Sequence, residues 1–455
     1  MSSLRSRIHF SLLCTFAALV SAPLLQSQEQ SSHHPVLMIS VDAMNPHYVL
    51  AAGSHAAAIP FLESLLRDGS YAQSVINVVP TITNPNHVTL ITGTEPARHG
   101  IFNNMLQDPI SNSKAAPMEY GNAIRVETLW QAAHAAGITT ASVFWPVTLG
   151  ATGVDYNIPP IHTQQTPADH YLLEAVSRPD GYLAALEKEI GLYSSTSDDE
   201  DGFATRAALA IIRDKRPGFL TVHLSGLDEA QHQNGPDSPE AYAALTTLDA
   251  ELRQLVQAER AVYPEANIVV VSDHGFFPVR HVINLNAEFA RAGLLTLAEE
   301  PTVHIASWKA FSWTGGGSAV VMLHDPDDRK TEAAVSALLK KLQKDPANGI
   351  ARVLSREEAL PLGGTPQTAF LIDCMPGYYV GRNLKTPLIT DAAQKGTHGY
   401  LPSHPELQSS FFIEGPSISR GKNLGIIDMR QIAPTVAAEL GIKLPQAAQP
   451  PLLIR

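Results

Sequence analysis

The stretch Ile268-Val269-Val270-Val271-Ser272-Asp273-His274-Gly275 runs from four β-branched apolar residues straight into an aspartate, a histidine and a glycine. A nearly continuous apolar run of this kind suits a strand covered on both faces, as in a parallel sheet. Similar runs occur at residues 36–41, 140–145, 219–224 and 411–413. Between them lie helical patterns. Residues 60–67 place Pro60 in a first turn and Gly69 just past the end. Residues 240–258 set Ala241, Leu245, Leu248, Leu252 and Leu255 at helical spacing, and residues 432–440 end at Gly441. Strands alternating with helices predict an α/β fold with a central, mostly parallel sheet flanked by helices.

Residues 276–395 read differently. Short apolar runs at 319–323, 351–354 and 369–372 surround one amphipathic helix near 332–342, carried by Val335, Leu338, Leu339 and Leu342. This predicts a small α+β subdomain inserted before the last part of the main sheet. Gly315-Gly316-Gly317 reads as a flexible turn. The main domain is expected to span residues 35–455.

The chain has 455 residues, 44% hydrophobic and 17% charged, which is ample apolar material for a large core. Its formal net charge of -12 argues against a stable nucleic-acid polymer as partner, since that needs a basic face. A small anionic substrate remains compatible, because bound metal reverses the sign of a pocket locally.

The first residues predict a signal peptide over 1–27. Arg5 and Arg7 precede an apolar run over 8–22, and a polar stretch follows at 26–34. Export to the periplasm or beyond the cell follows from that reading, with no membrane span in the mature chain. Cys14 would leave with the segment. Cys374 would remain as a single buried thiol.

Asp and His gather at the ends of the predicted strands. Asp42 follows 36–41, Asp228 and His232 follow 219–224, and Asp273 and His274 follow 268–271. His398 sits in Gly396-Thr397-His398-Gly399-Tyr400, ahead of 411–413. In open α/β sheets the carboxyl ends of strands are where ligands bind. Carboxylate oxygen and imidazole nitrogen are ordinary zinc donors, and burying several carboxylates together is costly without cations. The remaining histidines read as structural or solvated. Thr83, in Thr83-Asn84-Pro85-Asn86-His87, offers a hydroxyl ahead of a helical stretch at 88–92. It reads either as a nucleophile or as a simple helix N-cap.

Taken in order, Ser40-Val41-Asp42, Thr83 to His87, His99-Gly100-Ile101 with Asn103-Asn104, Asp228 to His232, Asp273-His274-Gly275 and Thr397 to Tyr400 form one pattern. It resembles the nucleotide pyrophosphatase/phosphodiesterase family of the alkaline phosphatase superfamily. The resemblance implies an alkaline-phosphatase-like fold and two zinc ions. One would be held by Asp228, His232 and His398. The other would be held by Asp42, Asp273, His274 and the Thr83 oxygen. It implies that Thr83 is the nucleophile of a hydrolase of phosphodiester or pyrophosphate bonds, forming a phospho-threonine intermediate. It also implies that Asn104 and the backbone N–H of Asn84 bind a phosphoryl oxygen.

The family's nucleotidases carry an aromatic residue where this chain has Asn84, so the leaving group stays open. Thr83-Asn84-Pro85-Asn86 also resembles phosphonoacetate hydrolase. A phosphomonoesterase would need extra cations, for which Arg98 and Arg125 are the candidates, and a catalytically silent metal-binding relative is a further alternative. Phe102, Trp130, Trp145 and Tyr400 could wall a pocket or pack the core.

Overall fold

The computed structural model describes residues 34–106, 108–110, 116–161, 168–194, 199–300 and 302–455. The expected signal segment, 1–27, lies outside the described residues. Among them no helix is long and apolar enough to cross a membrane.

Eight strands form the main sheet: β1 (Val36–Val41), β2 (Ser70–Tyr71), β3 (Thr140–Val143), β4 (Tyr156–Ile158), β5 (Phe219–Leu224), β6 (Asn267–Val271), β7 (Phe411–Glu414) and β8 (Lys422–Asn423). Their spatial order is β8-β2-β7-β6-β1-β5-β3-β4. β1 lies between β5 and β6 and runs parallel to both, while β7 runs antiparallel to β6 and β2. The sheet is therefore central and mostly parallel, with β1 at its heart.

The helices that matter for the site are α1 (Pro60–Asp68), α2 (Thr83–Thr92), α3 (Glu200–Lys215), α4 (Gly226–Asn234), α5 (Pro239–Val262) and α6 (Ile432–Glu439). Side chains of a strand alternate between faces. Leu37, Ile39 and Val41 accordingly pack with Val222, Val270 and the Leu245–Leu248–Leu252 stripe of α5. Val36 and Met38 pack on the opposite face with Val269, Leu90 of α2 and Val436 of α6. Each such fully buried side chain contributes roughly 1.5–3 kcal/mol relative to exposure. This double burial is why the strands read as unbroken apolar runs.

The elements between Phe277 and Thr397 form sheets of their own. Ala310–Thr314, Ser318–Leu323, Phe370–Cys374 and Ile350–Ser355 make a four-stranded antiparallel sheet. Helix Arg329–Gln343 starts where Asp328 accepts the N–H groups of Lys330 and Thr331 at 3.1 and 3.0 Å, and it buries Val335, Leu339 and Leu342. Strand Phe277–Ile283 pairs with Gly377–Val380, Ile389–Asp391 and Gly396–Thr397. These elements share a hydrophobic cluster that includes Cys374.

The glycine turn has a specific job. Gly316 and Gly399 both have left-handed φ angles, +89° and +87°. A Cβ on Gly399 would collide with the Gly315 carbonyl, and one on Gly316 with the His398 carbonyl. The Gly317 N–H donates to the His398 carbonyl at 2.8 Å. The turn thus lies backbone to backbone against the loop that carries His398, which a merely flexible turn would not do.

Two expectations are corrected. The helix read as 88–92 begins at Thr83, and its N-cap is Ile82, with no side-chain cap. Thr83 is therefore not the cap. The strand read as 140–145 stops at Val143, because Phe144 turns to φ +54°.

Candidate metal centre

Asn86 builds the turn that presents Thr83. Its Nδ2 donates to the carbonyls of Pro80 and Ile82 at 2.9 and 2.8 Å, and its Oδ1 accepts from the Val78 N–H at 3.2 Å. The chain enters α2 tightly, and the Thr83 hydroxyl lies 3.4 Å from His274 Nε2. Underneath, buried His87 sets one ring nitrogen 2.9 Å from the Thr83 carbonyl and the other 2.8 Å from Ser40 Oγ.

The remaining groups arrive from strand ends. Asp42 follows β1 and Asp273 follows β6. Asp273 Oδ1 accepts the N–H of Ala43 at 3.1 Å, with Ala43 held at φ +63°. Gln231 of α4 donates to the Ala43 carbonyl at 3.1 Å, tying α4 to the end of β1. The start of α4 is fixed by Asp201, which accepts the N–H groups of Ser225 and Gly226 at 2.7 and 2.8 Å. One turn apart on α4, Asp228 and His232 lie 3.4 Å from each other.

Donor atoms of Asp42, Asp273 and His274 all fall within 4.8 Å of one another, and so do donors of Asp228, His274 and His398. The rings of His274 and His398 stack at 3.8 Å. His232 stands beside this second group, its ring 5.2 Å from that of His398, with one ring nitrogen 3.0 Å from the Gly396 carbonyl. His274 therefore reaches both groups, a sharing that chain order alone does not reveal.

The chemistry of this cluster fits cations. Asp42 Oδ1, Asp228 Oδ1 and Asp273 Oδ2 are buried without a hydrogen-bond partner. Burial pushes the Asp42 carboxyl well above its ordinary pKa, and neighbouring Asp228 adds to this. Burial likewise raises Asp273, with Asp42 adding to it, and it also raises Asp228. The imidazoles move the other way: burial and the facing His398 push His274 well below its ordinary value, and burial takes His398 to about 3. Three unsatisfied carboxylates beside unprotonated imidazoles are what oxygen- and nitrogen-bound divalent cations stabilise.

Asn104 departs from its expected arrangement. Its Oδ1 accepts the Asn84 N–H at 2.8 Å, so that N–H does not stand free. The Asn84 side chain turns away and donates to the Met118 carbonyl at 2.9 Å. Among the other expectations, Arg98 is exposed on the short helix Pro96–His99, and Arg125 lies over the Phe102 ring at 5.6 Å. Trp130, Trp145 and Tyr400 are fully buried core residues.

Two cavities meet at the donor cluster. One, about 380 Å³, contains Thr83 and Asn84 and is walled by Glu119, Phe144, Val147, Ile161, Tyr193 and Glu200. The other, about 640 Å³, is lined by Thr314, Gly316, Tyr379, Arg382, Thr390 and Gln394. Asn104, His232 and His398 border both. Phe144 and Val147 (φ +54° and +62°) hold left-handed conformations at the first cavity, strained for side chains of their size. His223, at the end of β5, was missed in the sequence: it lies 3.4 Å from Asp42, with its ring 4.5 Å from His87. Its place at a strand end was the one signal available.

The sequence model of the type I phosphodiesterase / nucleotide pyrophosphatase family matches residues 36–401. The chain is similar to ectonucleotide pyrophosphatase/phosphodiesterase family member 1 of Homo sapiens, 28% identical over 248 residues, covering 53% of this chain and 23% of that protein. It is also similar to family member 5 of Homo sapiens, 26% identical over 256 residues, covering 54% and 46%. The chain thus spans less than half the length of these relatives. Its fold is similar to that of murine ectonucleotide pyrophosphatase/phosphodiesterase 5, solved as an inactive variant in complex with AMP. The TM-score is 0.64 at 18% identity, covering 90% of this chain and 96% of that one. The human counterpart gives a TM-score of 0.62 at 18% identity, covering 92% and 96%.

Proposed function

The chain belongs to the type I phosphodiesterase / nucleotide pyrophosphatase family, and from that premise we propose that it is a two-zinc hydrolase of phosphodiester or pyrophosphate bonds with Thr83 as nucleophile. The observation that carries this is the Thr83 hydroxyl at the start of α2, 3.4 Å from His274, whose ring lies beside buried carboxylate oxygens of Asp42 and Asp273 that have no hydrogen-bond partner. Asp42, Asp273, His274 and the Thr83 oxygen would hold one ion, and Asp228, His232 and His398 the other. Bound there, zinc supplies positive charge that acidifies a hydroxyl or water and offsets the charge of a phosphoryl group.

The chain's own groups do the rest. The Thr83 oxygen, freed of its proton, attacks phosphorus in line, and a new phosphorus–oxygen bond forms. The opposite phosphorus–oxygen bond breaks, its electron pair leaves with the departing oxygen, and the proton that Thr83 gave up passes to solvent or to that oxygen. Water then attacks the phospho-threonine, giving its hydroxyl to phosphorus and a proton back to Thr83. Asn104 donates through Nδ2 to a phosphoryl oxygen, and by shifting off the Asn84 N–H it releases a second donor. The N-terminus of α2 adds its favourable field for an anion. The relatives named above carry the prefix "ecto", which agrees with the signal segment read at residues 1–27 and supports action outside the cytoplasm.

A monoesterase has less support, because neither Arg98 nor Arg125 lines either cavity at the cluster. Purified protein is assayed on a chromogenic phosphodiester, a monoester and a sulfate ester, with and without chelator. Chelator-sensitive turnover, highest on the diester, is expected. Thr83→Ala should lower the rate roughly a thousandfold or more while retaining zinc. Absence of metal-dependent turnover on all three esters overturns the proposal.

A further inference from the structure

Asn104, the group that would donate to a phosphoryl oxygen, borders both cavities and stands on a loop just ahead of the short strand Met105–Leu106. A donor of this kind acts only if its nitrogen comes within about 2.7–3.1 Å of the oxygen that gains charge. A loop does not secure that by itself. Here both chain neighbours of Asn104 are held by the inserted subdomain. Asn103 is buried, and its Nδ2 donates to the Thr314 carbonyl at 2.9 Å. Its Oδ1 turns back to accept the Met105 N–H at 3.3 Å. On the other side of Asn104, the Met105 carbonyl accepts from the buried indole Nε1 of Trp313 at 3.1 Å. Trp313 and Thr314 are the last two residues of strand Ala310–Thr314.

That strand is itself firmly held. Asn286 Nδ2 donates to the Ser312 carbonyl at 2.9 Å, and Asn286 Oδ1 accepts the Ser312 N–H at 2.8 Å. Thr314 Oγ1 donates to the Val380 carbonyl at 2.6 Å. Trp313 belongs to the subdomain's hydrophobic cluster, against which Phe102 and Met118 pack. The strand then runs into Gly315-Gly316-Gly317, the turn that lies against the His398 carbonyl. One strand thus backs the loop of Asn104 and the loop of His398 alike. Neither Thr83 nor any of the proposed metal donors falls within residues 276–395. We propose that Asn103 and Trp313 are positioning residues for Asn104, through which the inserted subdomain controls a reaction to which it gives no reacting group. With the backbone pinned on both sides, the Asn104 side chain can turn from the Asn84 N–H to a phosphoryl oxygen without carrying the chain with it.

The inference rests on the hydrolase reading for what Asn104 does. A buried indole N–H needs a partner in any case. The positioning role differs from plain packing in that its effect passes through Asn104. Trp313→Phe deletes the N–H and keeps an aromatic ring, and Asn103→Ala deletes the other tie. Each is made alone and together with Asn104→Ala. On the chromogenic diester, each single variant should lower kcat about ten- to a hundredfold, with KM nearly unchanged and zinc content intact. Added to Asn104→Ala, the same changes should lower kcat less than about threefold, because the group they act through is gone. Affinity for orthovanadate, a mimic of the five-coordinate phosphoryl group, should follow the same pattern in calorimetric titration of the zinc-loaded proteins. Losses of equal size with and without Asn104 overturn the proposal, and so do single variants with unchanged kcat and vanadate affinity. Urea unfolding identifies a variant that does not fold, in which case the other carries the cycle; failure of both to fold assigns them a purely structural role and overturns the proposal. If wild type turns over no ester yet its vanadate affinity shows the Asn104-dependent pattern, the hydrolase reading fails and the positioning stands. If it neither turns over an ester nor binds vanadate, both fall.

Discussion

His87 shows how a residue outside the donor set can govern the reaction. Burial keeps its ring neutral, so one nitrogen can donate to the Thr83 carbonyl while the other accepts from Ser40. It holds the backbone of the nucleophile, making it a positioning residue. His87→Ala should lower kcat about ten- to a hundredfold with KM nearly unchanged, because a displaced nucleophile loses reactivity more than binding. Steady-state kinetics on the chromogenic diester reads the split, and an equal rise in KM would contradict the role. Asn104→Ala should cost kcat about 10²–10³-fold, as loss of an oxyanion donor does elsewhere. At this scale the sequence was legible where residue type at a strand end marks the donors that the fold gathers: Asp42, Asp273 and His274. It was not legible where contact depends on a fold between distant segments. The Asn84 N–H bonded to Asn104, His223 beside Asp42, and Trp313 bonded to the Met105 carbonyl all arise from such encounters.

The elements differ in how plainly the sequence announced them. β1 and β5 were read to the residue: every residue of both is buried, and apolar side chains dominate each run. α3 was missed, since half of its buried face is alanine (Ala204, Ala207, Ala208 and Ala210), which gives a weak apolar period. The start of α2 was missed because Asn84, Pro85 and Asn86 are poor helix formers, and Asn86 compensates through side-chain bonds to the entering turn. α5 carries a cost of its own. Glu259 is buried on it, both carboxylate oxygens lack partners, and burial pushes its pKa up to about 7. A raised carboxyl pKa means the unfolded chain ionises first. This term therefore favours folding fully only below the ordinary glutamate value, and stability is lost as pH rises toward about 7. Glu259→Met should stabilise the fold at pH 8, by on the order of 3 kcal/mol at most, and change little at pH 4. Urea unfolding at both values checks this, and an equal gain at the two would refute the ionisation argument.

The whole molecule brings Asp42, Thr83, Asp228 with His232, Asp273 with His274, and His398 to one place at the carboxyl ends of the central strands. None of these segments packs there for its own sake. Asp42, Asp228 and Asp273 each bury an oxygen without a hydrogen-bond partner, and the three repel one another. The fold without cations is therefore under electrostatic load, which each bound ion relieves. Zinc should raise the Tm in a concentration-dependent way, with about 2.7 kcal/mol of stabilisation per site at a hundredfold excess over Kd, and chelator should reverse it. Asp273→Asn separates this linkage from simple damage to the core. It removes one of the repelling charges while keeping nearly the same volume, so the chelated variant should be at least as stable as chelated wild type. It also removes a donor, so its Tm should respond much less to zinc. Differential scanning calorimetry of the four combinations reads both effects. If chelated Asp273→Asn unfolds well below chelated wild type, the carboxylates are held by hydrogen bonding rather than loaded for cations, and the two-ion reading of the cluster would fall with that result.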